Sequence, residues 1–224
     1  MVIEDPILDG EGWRWRGNKP SVTTVIKNSI ANRGLDNWYK NNSANAIEKR
    51  QKQTSEFGTE CHRYFELFLK GDLSLSDVPE THKRHVVAFM EWVQKNDVKP
   101  LYLEQALASE TYGFSGQADF IGTVRGSLFV GDWKITGTYS ITNGYQLAAY
   151  RQAAIECQLV GPDAGIIGVQ VDRDTAVVKE FKYKHIDFCF HKFLAGLEIF
   201  KGIHFYKLQA LKWPWLHKQS LVIA

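Results

Sequence analysis

The hydrophobic pattern of this chain changes period near residue 100 and changes back near residue 142, and that double switch limits the folds open to it. Upstream, Val86, Phe89, Met90 and Val93 fall on one face of a helical segment over residues 79–96. Segments 101–109, 114–124 and 128–134 then read as three consecutive strands with glycine-bearing turns between them. A helix over 142–158, strands over 166–171 and 177–183, and a long helix over 186–211 follow, with Trp213-Pro214-Trp215 as the stop. Helices, three strands, a helix, two strands and a helix predict an α/β protein whose central mixed sheet is flanked by helices.

The N-terminal part is organised differently. Asp9-Gly10-Glu11-Gly12 reads as the turn of a small hairpin, and Ser21 is placed to cap a helix running to about residue 30. Residues 35–66 look helical, with a break expected at 55–58. Thr59 would then cap a new helix carrying Cys61, His62, Phe65, Leu67, Phe68 and Leu69, ended by Gly71. The expected organisation is an N-terminal hairpin and helical cap over residues 1–57, packed on a core over 58–224 as one compact domain. A chain of 224 residues with 44% hydrophobic content supports a core of that size.

Composition excludes several function classes. A net charge of only +2 means that any nucleic-acid binding must come from a local patch. The three cysteines, Cys61, Cys157 and Cys189, form no Cys-x-x-Cys pair, so neither a structural zinc site nor an iron–sulfur cluster is signalled. No Walker A loop is present, so no nucleotide cofactor is expected. The opening Met1-Val2-Ile3-Glu4-Asp5 lacks the basic and apolar regions of a signal peptide, and no run approaches a membrane span. The expectation is a cytoplasmic protein with no membrane association.

The chemistry concentrates around Asp132-Trp133-Lys134, which closes the apolar run Leu128-Phe129-Val130-Gly131. Alternation along a strand puts Asp132 and Lys134 on one face. If Arg125-Gly126 is the two-residue turn, Asp119 on the preceding strand lies opposite Asp132. Opposed carboxylates repel in a structural sheet and become favourable when a divalent cation neutralises them. Oxygen ligands suit magnesium or manganese better than zinc. Lys134 can orient the attacking water and stabilise charge on a phosphate. Glu104 either joins this cluster or is a solvated edge carboxylate. Gln146 and Tyr150, at i and i+4 on the next helix, either hold a phosphate and position the lysine or form a semi-buried polar pair. His62, on spacing alone, reads as a surface or satisfied histidine.

Taken in order, these residues resemble the PD-(D/E)xK nuclease superfamily, and within it the RecB-like exonuclease branch. The branch carries Gly-x-x-x-His, Gly-x-x-Asp, Asp-x-Lys and Gln-x-x-x-Tyr, which stand here as Gly58 to His62, Gly116 to Asp119, Asp132 to Lys134 and Gln146 to Tyr150. The opening Pro20-Ser21-Val22-Thr23-Thr24-Val25-Ile26, with Leu35 and Trp38, is similar to the start of phage-type and mitochondrial single-strand exonucleases of that branch. The resemblance implies a restriction-endonuclease-like core. It implies that His62, Asp119 and Asp132 bind the metal, that Lys134 is catalytic, and that Gln146 and Tyr150 support the lysine and the DNA; Glu104 is a further metal-ligand candidate from its place on the preceding strand alone. Many members hold an iron–sulfur cluster on cysteines that this chain lacks, so a stand-alone, cluster-free enzyme is the match.

The function expected is metal-dependent hydrolysis of DNA from a free end, in recombination, repair, replication or phage DNA metabolism, with a recombination or replication protein as a further partner. Arg14, Arg16, Lys19 and Trp38 are the expected DNA contacts of the N-terminal cap, through phosphates and base stacking. A structure-selective or RNA-directed endonuclease, and a non-catalytic nucleic-acid-binding subunit on the same fold, are the alternatives. The intact Asp119, Asp132 and Lys134 argue against the last.

Overall fold

The computed structural model describes the backbone of residues 7–9, 12–14, 19–30 and 44–212, and the side chains of 19–30 and 52–202. In chain order the elements are β1 (Ile7–Asp9), β2 (Gly12–Arg14), α1 (Val22–Ser29), α2 (Ala44–Lys70), a 3-10 turn (Leu75–Asp77) and α3 (Glu80–Lys95). Then come β3 (Lys99–Ser109), β4 (Phe114–Val124), β5 (Ser127–Ile135), α4 (Thr142–Glu156), β6 (Gly165–Val171), β7 (Val178–Lys182) and α5 (Ile186–Lys212). The strands and helices expected after residue 79 are present, with ends displaced by a few residues. The segment Trp213-Pro214-Trp215 lies outside the described residues.

β3 to β7 form one open sheet in sequence order, antiparallel except for the parallel β5–β6 pair. α4 connects that parallel pair, because two parallel strands cannot be joined by a tight turn. α2 and α3 cover one face of the sheet, packing Cys61, Phe65, Val86 and Phe89 against Phe120, Trp133, Ile167 and Val169. α1, α4 and α5 cover the other, packing Val22, Ala149 and Phe193 against Phe114, Ile121 and Val130. The result is an α/β protein with a five-stranded mixed sheet between helical layers. Among the described residues no helix is long and apolar enough to cross a membrane.

Trp133 explains how β5 is held. Its ring is fully buried, stacks on Phe120 at 5.3 Å between centroids, and meets Phe89 edge-on at 5.3 Å. Burying one such indole contributes on the order of 5 kcal/mol from area alone. Because side chains alternate, a tryptophan driven into the α2–α3 face forces its neighbours Asp132 and Lys134 to the opposite face. The anchor is apolar and the two groups it displays are charged.

The β4–β5 hairpin has the register read from the sequence, with Val124 opposite Ser127 and Phe120 opposite Gly131. Both turn residues are left-handed, Arg125 at φ 52° and Gly126 at φ 76°. Arginine is a poor residue for that position. It is retained because its guanidinium pairs with Glu180 on β7, at 2.9 Å and 2.5 Å, and bonds the Asn96 side chain. Tertiary contacts override the local preference.

α2 corrects one expectation. It runs unbroken from Ala44 to Lys70, without a break at 55–58, so Thr59 lies inside the helix rather than capping one. Gly58 weakens a helix but does not end it here: on one side Phe57 stacks on His82 of α3, and on the other Cys61 and Phe65 are buried. The boundary expected at residue 57 therefore falls within a continuous helix. α1 is capped as expected: the Ser21 hydroxyl accepts a hydrogen bond from the Thr24 amide at 3.1 Å, a cap that contributes about 1 kcal/mol.

Candidate active site

The sheet is irregular where the acids sit. Along a regular strand Leu103 and Leu107 would share a face, yet Leu107 packs under α4 and Leu103 packs on the α2–α3 side. Ala118 and Phe120 are divided in the same way. Both strands change face between these residues, at Glu104 and at Asp119. Glu104 has φ 49°, a left-handed backbone inside a strand, which costs roughly 1–3 kcal/mol for a residue other than glycine. The same departure turns two acidic side chains toward each other, and strain of this kind is concentrated at functional positions.

His62 arrives from α2. One ligand atom each from His62, Glu104 and Asp119 lie within 4.8 Å of one another. His62 Nδ1 is 3.8 Å from Asp119 Oδ2, and the same oxygen accepts the Trp133 amide at 2.8 Å. Gln117 donates to Glu104 Oε2 at 2.9 Å and to the Glu104 carbonyl at 3.1 Å, steadying the strained residue. Behind this group lies Asp132, whose side chain is only 2% exposed. Its Oδ1 accepts from Lys134 Nζ and from Gln146 Nε2, each at 2.9 Å. Its Oδ2 lies 2.7 Å from the same lysine nitrogen without a well-directed hydrogen bond. The Gln146 amide also donates to the Tyr150 hydroxyl at 3.0 Å.

The electrostatics follow from burial. It pushes Glu104 up to about 8, assisted by the charges of Asp119, Glu66 and Asp132. Burial likewise raises Asp119 and Asp132 above the ordinary carboxylate range, although Lys134 opposes both shifts. His62 is lowered to about 4, first by burial and then by the Lys134 charge, so its imidazole is neutral and has a lone pair to donate. Burial works against the Lys134 ammonium, but Asp132 and Asp119 outweigh it and its pKa is raised overall. Lys134 is therefore a fixed positive charge near neutral pH rather than a base.

Two cavities meet at this cluster. One, of about 470 Å³, is bounded by Ser21, Thr23, Ser115, Gly116, Gln146 and Tyr150. The other, of about 780 Å³, runs along α2 past Thr54, Gly58, Arg63 and Glu66. Both reach Thr59, His62, Glu104, Gln117 and Lys134. A polymer crossing from one to the other passes the His62–Glu104–Asp119 group.

Comparison with models of known protein families and with curated proteins finds no match to this chain.

The sequence-predicted residues do not all come to one place. His62, Glu104 and Asp119 come together as a donor set. Asp132, expected among the metal ligands, instead holds Lys134 and Gln146, and it stands outside that set. Lys134, Gln146 and Tyr150 line the first cavity, with Tyr150 lying on Gly116, where a Cβ would overlap its ring. Lys19 pairs with Glu110 at 2.6 Å. Arg16, Trp38 and the side chain of Arg14 lie outside the described residues. Sequence reasoning missed Gln117, which braces Glu104, and Thr23 and Ser115, which line the cavity. Gln117 sits within the Gly-x-x-Asp segment. Ser115 gives no signal in the sequence.

Proposed function

We propose that the chain is a divalent-metal-dependent DNA nuclease of the PD-(D/E)xK type, with a restriction-endonuclease-like core of the RecB-like branch, that hydrolyses phosphodiester bonds from a free end. The observation that carries this reading is the meeting of one histidine and two carboxylates from α2, β3 and β4 beside a lysine that stays charged. The donor chemistry fits a hard divalent cation. Carboxylates suit magnesium and manganese, and the neutral imidazole adds affinity toward manganese. His62, Glu104 and Asp119 would hold the ion, with Asp132 close behind. Such an ion supplies Lewis acidity at the phosphate oxygens.

The remaining work falls to the protein's own groups. Lys134 offsets charge that builds on the phosphate in the transition state and can orient a water for in-line attack. Asp132 fixes the lysine through its carboxylate, and Gln146 fixes Asp132 in turn. Tyr150, fully buried against Gly116, holds the Gln146 amide in place. The order is a chain of support running from α4 to the reacting centre.

Cleavage of end-labelled DNA, linear and circular, single- and double-stranded, tests the reading in magnesium, manganese or chelator. Metal-dependent loss of linear DNA only, absent in Lys134→Ala and Asp119→Asn, is the expected result. Cutting of circles would make the enzyme an endonuclease. Lys134→Ala strips a buried carboxylate of its counter-ion and lowers stability. Asp119→Asn retains an acceptor for the Trp133 amide, so it reports on activity in a folded protein. Full activity in Asp119→Asn would remove the proposed site.

A further inference from the structure

Asp132 is supported unevenly by the groups around it. Its Oδ1 accepts from Lys134 and Gln146, while its Oδ2, also buried, has no well-directed hydrogen bond. An ionised carboxylate has about four acceptor sites, two on each oxygen. Leaving one oxygen of a buried carboxylate without a donor is costly, so a donor is expected on the Oδ2 side.

A second unpaired group lies on that side. The hydroxyl of Tyr139, on the loop between β5 and α4, is buried and also lacks a well-directed hydrogen bond. Three strands fix where it stands. Asp132 on β5 pairs with Gly168 on β6, and Gly168 pairs with Phe181 on β7. The three form one row on the sheet face that α4 covers, since Gln146 of α4 reaches Asp132 there. The Tyr139 ring stacks flat on Phe181, with 3.9 Å between centroids and 3° between planes. The stack brings the hydroxyl over Gly168, onto the place that a Cβ would take. Position 168 is a glycine because the phenol needs that space. Neighbouring strands lie about 4.8 Å apart, so the hydroxyl stands roughly one strand spacing from the Asp132 Cβ. A carboxylate oxygen and a phenol so placed are within reach of each other through one water. Burial keeps the phenol protonated, so it has a proton to donate.

From this we propose that Tyr139 is a further positioning residue of the site, whose hydroxyl supports Asp132 Oδ2 through one water as Gln146 supports Oδ1. The consequence for cleavage rests on the nuclease reading; the contact with Asp132 does not. Tyr139 lines neither cavity, so it acts on the reacting centre through Asp132 and then Lys134. Held on both oxygens, the Asp132 carboxylate keeps one orientation, and Lys134 keeps one position against the phosphate.

Two measurements test this role. The first is chemical denaturation, in chelator, of the wild type, Tyr139→Phe, Asp132→Asn and the double variant. Tyr139→Phe removes one oxygen and keeps the stack on Phe181, so it stays folded. Groups that share a contact give non-additive effects. The midpoint should fall in Tyr139→Phe, and the same substitution made in the Asp132→Asn chain should cost less than half as much. Equal losses in the two backgrounds overturn the proposal. The second is steady-state cleavage of a labelled linear strand with manganese. Tyr139→Phe should lower kcat about tenfold, the effect of one lost hydrogen bond to a charged group, with KM unchanged. Gly168→Ala, which pushes the hydroxyl off its place, should lower kcat by at least as much. A wild-type kcat in Tyr139→Phe, or a loss confined to KM, overturns the proposal. If the wild-type chain cleaves no DNA, the nuclease reading fails, and the denaturation cycle still decides whether Tyr139 holds Asp132.

Discussion

Among the carboxylates of the site, Glu104 has the charge that the fold opposes most. Its carboxyl is raised to about 8 by burial and by neighbouring carboxylates, against an ordinary 4.5. His62 moves the other way, from 6.5 to about 4. The signs decide a pH dependence. Between 4.5 and 8 the folded chain keeps a proton on Glu104 that the unfolded chain has lost, so this group makes stability fall as pH rises. Between 4 and 6.5 the unfolded chain protonates His62 and the folded chain does not, so that group makes stability rise. The two oppose each other below 6.5, and above it Glu104 acts without His62. Thermal unfolding in chelator should therefore show stability falling from pH 6.5 to pH 8, and Glu104→Gln should flatten that slope. Manganese should reverse it, because a cation prefers the ionised carboxylate and stabilises the folded form more at the higher pH. A wild-type slope retained in Glu104→Gln would show that the burden lies on another group.

At the scale of elements, two glycines of the same motif set have opposite reasons to be there. At Gly116 a Cβ would run into the Tyr150 ring and approach Val22, both packed in the core. Gly116→Ala should cost about 1–3 kcal/mol and reduce cleavage, because Tyr150 and then Gln146 lose their seats. Chemical denaturation and a cleavage assay on the same sample check both halves. At Gly58 an added Cβ meets nothing within 4 Å, and the residue lies inside a helix. Gly58→Ala should raise stability by about 1 kcal/mol in the same denaturation experiment; a loss would mean that the helix needs the gap. Both positions were legible in the sequence as motif glycines, but their roles were not. The β4–β5 hairpin was readable down to its register because alternation and a two-residue turn fix it locally, even with Arg125 in the turn. The continuity of α2 was not readable, since local composition at 55–58 argues for a break and only packing against α3 removes it. The change of face at Glu104 and Asp119 was hidden as well. It depends on a left-handed residue inside a strand, which no period-two pattern announces.

Across the whole molecule, the donor set draws on α2, β3 and β4, while β5 and α4 supply Lys134, Asp132, Gln146 and Tyr150. No single element contains the site, so its geometry depends on the sheet being assembled. The charge of the chain adds a constraint on how it could hold DNA. A net charge of +2 leaves no general attraction for a polyanion, and among the described residues the cations lining the two cavities are Lys134 and Arg63. Binding of single-stranded DNA by counter-ion release has a logarithmic salt slope of about −0.7 per phosphate neutralised. Contacts through Lys134 and Arg63 alone would thus give a slope of about −1.4. Arg14 and Arg16 are expected from the sequence to hold further phosphates, each making the slope steeper by about 0.7. Fluorescence anisotropy of a labelled single strand, titrated with salt in chelator, measures this. The expected outcome is a slope near −2.8 for the wild-type chain and near −1.4 for Arg14→Ala combined with Arg16→Ala. An unchanged slope in the double variant would confine the electrostatic contacts to the two cavities, and an affinity independent of salt would leave no electrostatic groove at all.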